Sequence, residues 1–297
     1  MNLLHKVEEA MMQYGGSSRR SIGDFILKEK NDLHKYSLQE IADQTYTSKA
    51  AVVRFAQALG FSGWKEFVKA FTEEQSYQAQ HYSNIDANFP FTKDSRRKDI
   101  INQLCSLQVE SLLDTADLLN EAPLDECAAL LLGSRRVAMF GLNPNFVLAE
   151  LFKRKMLSIG RQVELPSQGD VGLLAHSLDK YDCAVIISYS GNSPTTGALS
   201  VLPTLKQRNV PIIGITSVGD NLLRQKADYT LSISSYERLY SKISTFGTEN
   251  SILFILNVLF SICFAADYDA NLERKIGTAR ELESTRRVTN EQALKET

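Results

Sequence analysis

Cysteine is scarce in this chain, and the four that occur stand apart. Cys105, Cys127, Cys183 and Cys263 form no C-x-x-C pair and have no histidine cluster beside them. That spacing argues against a zinc site or a disulfide framework and fits a reducing, cytoplasmic setting. No apolar run reaches membrane length. The strongest, residues 252–266, falls short of the ~20 residues a span needs and is interrupted by Asn257 and Ser261, so it reads as a buried helix. Residues 1–14 carry acids and lack a long apolar core, unlike a signal peptide. Charge of one sign is also lacking. With a net charge of −2, any nucleic-acid binding has to come from a local basic face. There is no internal repeat, low-complexity tract, Walker motif, nucleophile elbow or metal-ligating triad, and neither a cofactor nor a metal is expected.

What is present is an ordinary globular composition. The chain has 297 residues, 43% hydrophobic and 23% charged, enough to bury a full core and long enough for two domains. The first ~75 residues carry only helical periodicity. Ile22, Phe25 and Ile26 share one face. Ser37 with Glu40 three residues on makes a capping box, after which Leu38, Ile41 and Ala42 face inward. Ser48 is placed to cap the next helix, whose Val52, Phe55, Ala56 and Leu59 line up before Gly60 ends it. Trp64, Phe67, Val68 and Phe71 mark one helix more. Over residues 73–99 the rhythm fails in a polar stretch, and helix resumes near 100–119. After Pro123 short apolar strands are expected at 137–140, 162–165, 183–188, 211–216 and 229–233. Helices are expected at 146–159, 196–208 and 221–226, and a last long one at 250–268. Such alternation implies a parallel sheet covered on both faces. The expected division is an all-α domain at 1–76, a linker with some helix at 77–105, and an α/β domain at 106–297.

Two short helices joined by a tight turn, the second opening on a small polar residue, are the pattern of a helix-turn-helix. That motif lays the first turns of its second helix in the DNA major groove. The residues so placed are Thr47, Ser48, Lys49, Ala50 and Ala51, with Arg54 one turn on. Hydroxyl and ammonium groups there suit phosphate and base-edge contacts. Between Gln44 and Lys69, four basic residues (Lys49, Arg54, Lys65, Lys69) oppose Glu66 alone, a local excess that the whole-chain charge hides. A plain helical bundle with a solvated polar face has the same pattern, and Arg54 has a second available role, pairing with an acid inside the domain. The run TSKAAVVRFAQALGFSGWKEF, residues 47–67, resembles the N-terminal domain of the RpiR family of bacterial transcriptional regulators. Ser48, Ala50, Val52, Arg54, Phe55, Leu59, Gly60, Phe61, Gly63 and Phe67 fit the family's pattern. The resemblance implies binding to double-stranded operator DNA through Thr47, Ser48, Lys49, Ala50, Ala51 and Arg54. Ala51 stands where the family usually has threonine, which implies a different operator preference or one phosphate contact fewer.

Six hydroxyl-bearing residues crowd into nine at SYSGNSPTT, residues 188–196, directly after the apolar AVII. Ligands of open α/β sheets bind at such strand ends. Pro194 suits a first helical position with Ser193 as its N-cap. Unpartnered N–H groups and the helix dipole there favour an anion. Gly191 permits close backbone approach, and Ser188, Ser190, Ser193 and Thr196 add hydroxyl donors. A serine-rich turn that only caps a helix has the same composition. SYSGNS resembles the phosphate loop of SIS domains, the sugar-isomerase fold. Residues 137–160 resemble that fold's first strand, glycine loop and following helix, and RpiR regulators join these two domains in this order. Over about 124–269 the resemblance implies a doubly wound parallel sheet of flavodoxin-like α/β/α form. It implies a phosphorylated-sugar site drawn from Gly141, Asn143, Asn145, Ser188, Ser190, Gly191, Asn192, Ser193 and Thr196. Asn143 can adopt, at some cost, the left-handed conformation a glycine would supply, Asn145 replaces a serine, and Asn192 stands where many relatives carry glutamate.

The reading is therefore a regulator of sugar or amino-sugar metabolism whose SIS-like domain senses a phosphorylated sugar. It is expected to be cytoplasmic and homodimeric, with a tetramer left open and no membrane partner. Paired heads would meet a palindromic operator. Aldose–ketose isomerisation needs a tuned general base. His5, His34 and His81 lie outside the α/β region and His176 falls on an expected surface helix. Glu249, at the start of the last long helix, is the acid available to a bound sugar; favourable charge at a helix N-terminus is its other role. No catalytic residue is assigned. A sugar-phosphate isomerase with an accessory helical domain is the alternative, and a scaffold with an empty pocket is a third.

Overall fold

The computed structural model describes residues 3, 7, 10–11, 17–30, 32–81, 85–167, 169–192, 197–238 and 240–283. The chain forms two compact units, Met1–Glu110 with Tyr236–Phe246, and Ser111–Ser235 with Gly247–Thr297.

In the first unit α1 is Ser17–Lys28, α2 Leu38–Gln44, α3 Lys49–Ala58 and α4 Trp64–His81, and α5, Arg97–Leu118, begins there. The capping box forms as expected. Ser37 Oγ accepts the Glu40 N–H at 3.2 Å and Glu40 Oε2 accepts the Ser37 N–H at 2.7 Å, bonds that hold the Glu40 carboxyl below its usual range. Ser48 Oγ caps α3 by accepting the Ala51 N–H at 3.1 Å. Beyond Ala58 the chain turns at Gly60, φ +92°, and the Phe61 N–H reaches back to the Ala56 carbonyl at 3.2 Å. Only glycine enters that left-handed turn without steric cost. Ile22, Ile26, Ile41, Val52, Phe55, Phe67 and Phe71 bury almost completely in one core. Each such side chain contributes about 1.5–3 kcal/mol of hydrophobic free energy, and their shared faces fix α2 against α3.

In the second unit α6 is Glu121–Gly133, β1 Val137–Gly141, α7 Asn145–Ser158, β2 Val163–Glu164, α8 Val171–Ser177 and β3 Cys183–Ile187. A 3-10 turn at Gly197–Val201 leads into α9, Leu202–Gln207. Then come β4 Ile212–Ser217, α10 Leu222–Lys226, β5 Tyr229–Ile233, α11 Phe246–Ala265 and α12 Tyr268–Glu283. The strands form one parallel sheet in the order β2-β1-β3-β4-β5. Alternate residues point to opposite faces. Met139, Val185, Ile187, Ile213 and Ile215 pack under α6, α7 and α11, while Phe140, Ala184, Ile186 and Ile212 pack under α8, α9 and α10. Burial on both faces is why the strands read as unbroken apolar runs.

Several elements depart from expectation. α6 runs through Pro123, because proline is tolerated in a helix's first turn. α12 carries little apolar periodicity and was not anticipated; Asn271 Nδ2 ties it to the Phe264 carbonyl at 3.0 Å. The helix expected over 196–208 is a 3-10 turn followed by α9, with Pro203 in the first turn of α9. An α-helix running unbroken from 196 would hold Pro203 in its interior, where it lacks an N–H and clashes with the preceding turn. α11 is long and apolar enough to cross a membrane by composition, yet Ile252, Ile255, Leu256, Leu259 and Cys263 lie in the core.

Candidate functional site

The turn between α2 and α3 is held from inside. Thr45, buried, donates its hydroxyl to the Ile41 carbonyl at 2.7 Å and shares a bond with Thr47 Oγ1 at 2.8 Å, and the Thr47 N–H bonds the Ala42 carbonyl at 2.8 Å. These bonds present the start of α3 outward. Ser48, Lys49, Ala50 and Arg54 are exposed, and Thr47 is half-buried. Ala51 is half-buried and packs partly against the unit's core, which leaves it the least available of the six to a groove. Among the described residues Arg54 has no acidic partner. Sequence reasoning passed over Tyr46, which sits at the turn with φ +52° and is 96% exposed. A bulky residue in that conformation is uncommon, and a positive φ has no sequence signal outside glycine and asparagine.

In the second unit the strand order reverses between β1 and β3, and ligands of open α/β sheets bind outside the carboxyl ends of strands at such a switch. Gly141 pairs with Ile187 in register, and Ile187 with Ile215. The loops that start at Leu142 and Ser188 therefore leave neighbouring strands at one edge. They also meet there: a Cβ added at Gly197 would lie 2.7 Å from Leu142 Cδ1.

The loop after β3 is tied on its inner side. Ser188 donates its N–H to the Ile215 carbonyl at 3.0 Å, and its hydroxyl accepts the Gly191 N–H at 3.3 Å. The Tyr189 carbonyl accepts the Ser217 N–H at 3.1 Å, and the Gly191 carbonyl accepts the Leu223 N–H at 3.0 Å. Gly191 is buried with φ +63°. A Cβ there would lie 2.2 Å from Asn221 Oδ1 and 2.7 Å from Thr216 Oγ1, so close approach and backbone conformation both require glycine. Asn192 Oδ1 accepts the Leu222 N–H at 3.0 Å and so caps the opening of α10 beside Asn221, whose side chain accepts the Arg224 N–H at 2.9 Å. Ser190 is half-buried, and its hydroxyl has no partner among the described residues. Ser193 and Thr196, with the expected helix start at Pro194, lie outside the described residues. Asn221 and Thr216 were missed because their role is visible only once β4 lies beside β3.

After β1 the chain bonds forward, the Leu142 carbonyl accepting the Phe146 N–H at 3.2 Å and the Pro144 carbonyl the Val147 N–H at 3.0 Å. Asn143 is exposed, and Asn145 is half-buried as the first residue of α7. Asn143 does not take the left-handed conformation open to it. Among the described non-glycine residues only Tyr46 and Asn209 have positive φ, and Pro144 restricts the residue before it to extended backbone. Glu249 lies in the first turn of α11. Ser234, just beyond β5, donates its N–H to Ser251 Oγ at 3.0 Å, which sets that first turn at the same edge. β5, which Ser234 follows, is two strands from β3, about 10 Å along the sheet. His176 stands in the last turn of α8, which leads into the start of β3, at the opposite edge from the loops. Among the described residues no cluster of His, Cys, Asp or Glu could hold a metal ion.

Comparison with known proteins agrees with these two geometries. Residues 1–78 match the helix-turn-helix domain of the rpiR family and residues 130–255 match the SIS domain. That pairing defines a transcriptional regulator. The chain is 26% identical to an uncharacterized HTH-type transcriptional regulator of Haemophilus influenzae over 92% of its own length and 94% of the relative's. It is 22% identical to another from Clostridium perfringens, over 94% and 98% of the two chains. Among solved structures it is similar to the NanR protein of Vibrio vulnificus complexed with ManNAc-6P. The TM-score is 0.59 at 19% identity, covering 97% of this chain and 100% of that one. It is also similar to the sugar isomerase domain of an RpiR transcription factor from Sphaerobacter thermophilus, with TM-score 0.53 at 15% identity over 61% and 98% of the chains. At those identities the structural likeness is one of fold. The chain thus joins an rpiR-type helix-turn-helix domain to an SIS domain, and along nearly its whole length it is similar to HTH-type transcriptional regulators.

Proposed function

We propose that the SIS domain binds a phosphorylated sugar at the carboxyl edge of its sheet and that this ligand alters operator binding by the helix-turn-helix domain. The observation that carries the reading is the loop after β3. Gly191 and its cage hold residues 188–192 in one shape at the switch in strand order, with the Ser188 and Ser190 hydroxyls along them. Ser188, Ser190, Gly191 and Asn192, together with Ser193 and Thr196, cradle the phosphate. Gly141, Asn143, Asn145 and Glu249 read the sugar. Thr47, Ser48, Lys49, Ala50, Ala51 and Arg54 meet the DNA. The chain acts as a cytoplasmic homodimer on a palindromic site, and DNA and effector change each other's affinity by the same factor. It does not turn its ligand over. Its relatives are named as regulators, and His176 is at the wrong edge to serve as base.

Titration calorimetry with ManNAc-6P, GlcNAc-6P and fructose 6-phosphate tests the site. Hydrogen bonds to charged groups are worth about 1.5–3 kcal/mol each, so Ser190→Ala with Ser193→Ala should weaken binding by about a hundredfold or more. Unchanged binding would reject the loop assignment. Turnover of a sugar phosphate that Glu249→Gln abolishes would replace this reading with an isomerase.

A further inference from the structure

The segment Tyr236–Phe246 leaves the SIS unit after Ser235 and returns to it at Gly247, yet it packs with the DNA-binding unit. Its base and its body are held by different partners. At the base, Ser235 Oγ and Thr248 Oγ1 are 2.7 Å apart, and the Ser234 N–H donates to Ser251 Oγ at 3.0 Å, so both ends meet at the first turns of α11, on either side of Glu249. In the stretch between α4 and α5, Asn88 bonds the body at three points. Asn88 is 5% exposed. Its Oδ1 accepts the Arg238 N–H at 2.6 Å, its carbonyl accepts the Ile243 N–H at 2.9 Å, and its Nδ2 reaches the Tyr236 carbonyl at 3.4 Å. Asp86 Oδ1 orients it by accepting its N–H at 2.8 Å. Glu237, nearly buried, stands 3.8 Å from Lys242 within the segment.

We propose that Tyr236–Phe246 is the strap that couples effector to DNA, and that Asn88 is the positioning residue through which it acts. The inference rests on the sensing reading above. A ligand that draws on Glu249 shifts the first turn of α11 and with it the base of the strap. A buried asparagine whose bonds span Tyr236 to Ile243 passes that shift to the chain leading out of the helix-turn-helix domain. Coupling then belongs to a named element that both sites bias, the physical requirement for such a claim.

The test uses the full chain, DNA from upstream of its own gene, and the three sugar phosphates above. Asn88→Ala should bind sugar phosphate and DNA within about threefold of wild type while losing most of the effector-induced change in DNA affinity, which is typically about 5–150-fold. A second measurement needs no variant: the Arg238 and Ile243 amides of the wild type should change their hydrogen-exchange rate when the sugar phosphate binds. If the wild type responds to effector, and either Asn88→Ala responds equally or both amides are indifferent to ligand, the strap is overturned while sensing stands. If the wild type answers to no sugar phosphate, the sensing reading fails and the strap fails with it.

Discussion

After β3 the chain is tied at Ser188, Tyr189, Gly191 and Asn192 to β4 and α10, whereas after β1 Leu142, Asn143 and Pro144 are all exposed. Residues 188–192 are thus tied to neighbouring elements, while the Leu142 and Pro144 carbonyls bond forward to the opening of α7. The difference teaches a division of labour. Phosphate is the same in every sugar phosphate and rewards a fixed cradle, since donors already in place need no ordering when the ligand arrives. The sugar varies, and the exposed loop after β1 can change without disturbing the sheet. The departures from the family pattern at Asn143 and Asn145 fall in that second loop. The one at Asn192 falls in the first, where the residue has its own structural task of capping α10.

The strongest way to break the comparison is Gly191→Ala. The added methyl meets Asn221 and Thr216 at a φ unsuited to an L side chain, and strain and overpacking together should cost about 2–3 kcal/mol. Thermal denaturation should report that loss, and calorimetry a loss of sugar-phosphate affinity. Wild-type values in both would mean the loop is not rigid. Next, Asp182 supplies a contrast from the opposite edge. It is buried at the start of β3. Burial pushes its carboxyl up, but hydrogen bonds from Arg135 and Arg136 outweigh this and hold it lowered, at about 2 against an ordinary 3.8. A lowered carboxyl stabilises the fold above its unfolded value, and that stability is lost as pH falls from 3.8 through about 2. Asp182→Asn should cost about 1–2 kcal/mol at pH 7, discounted because its arginine partners are partly exposed, and should approach wild type near pH 2 in urea titrations. Its ligand affinity should be unchanged. Lys49→Ala and Arg54→Ala should each weaken DNA binding about tenfold and reduce the salt slope by about one, with sugar-phosphate binding untouched. Asn192→Ala, losing the cap on α10, should cost about 0.5–1 kcal/mol. Asn143→Ala should change stability by less than about 0.5 kcal/mol yet alter the ranking of sugar phosphates. A large stability loss there would erase the distinction between the loops.

Much of this architecture could be read from residues that act locally. The Ser37–Glu40 box, the Ser48 cap and the Gly60 terminus are decided within a few residues of themselves. The buried strands announce themselves because both faces are covered. The parts that stayed hidden depend on partners far along the chain. The cage around Gly191 needs Thr216 and Asn221, and the hold on the strap needs Asn88 against Arg238. α12 carries too little apolar patterning to stand out, and Pro203 moved a helix start that periodicity alone placed at 196. Gly191 was legible as a close-approach position, but what approaches it was not.

The central claim is that one ligand joins the two units. The most direct measurement is fluorescence anisotropy of the purified chain on DNA from upstream of its own and neighbouring genes. It should be run at fixed salt with excess competitor DNA, with and without a sugar phosphate that calorimetry shows to bind. The account predicts specific binding whose affinity that ligand shifts by about 5–150-fold, with the same factor recovered when ligand affinity is measured with DNA present. Specific DNA binding that a saturating, demonstrably bound sugar phosphate leaves unchanged would contradict it.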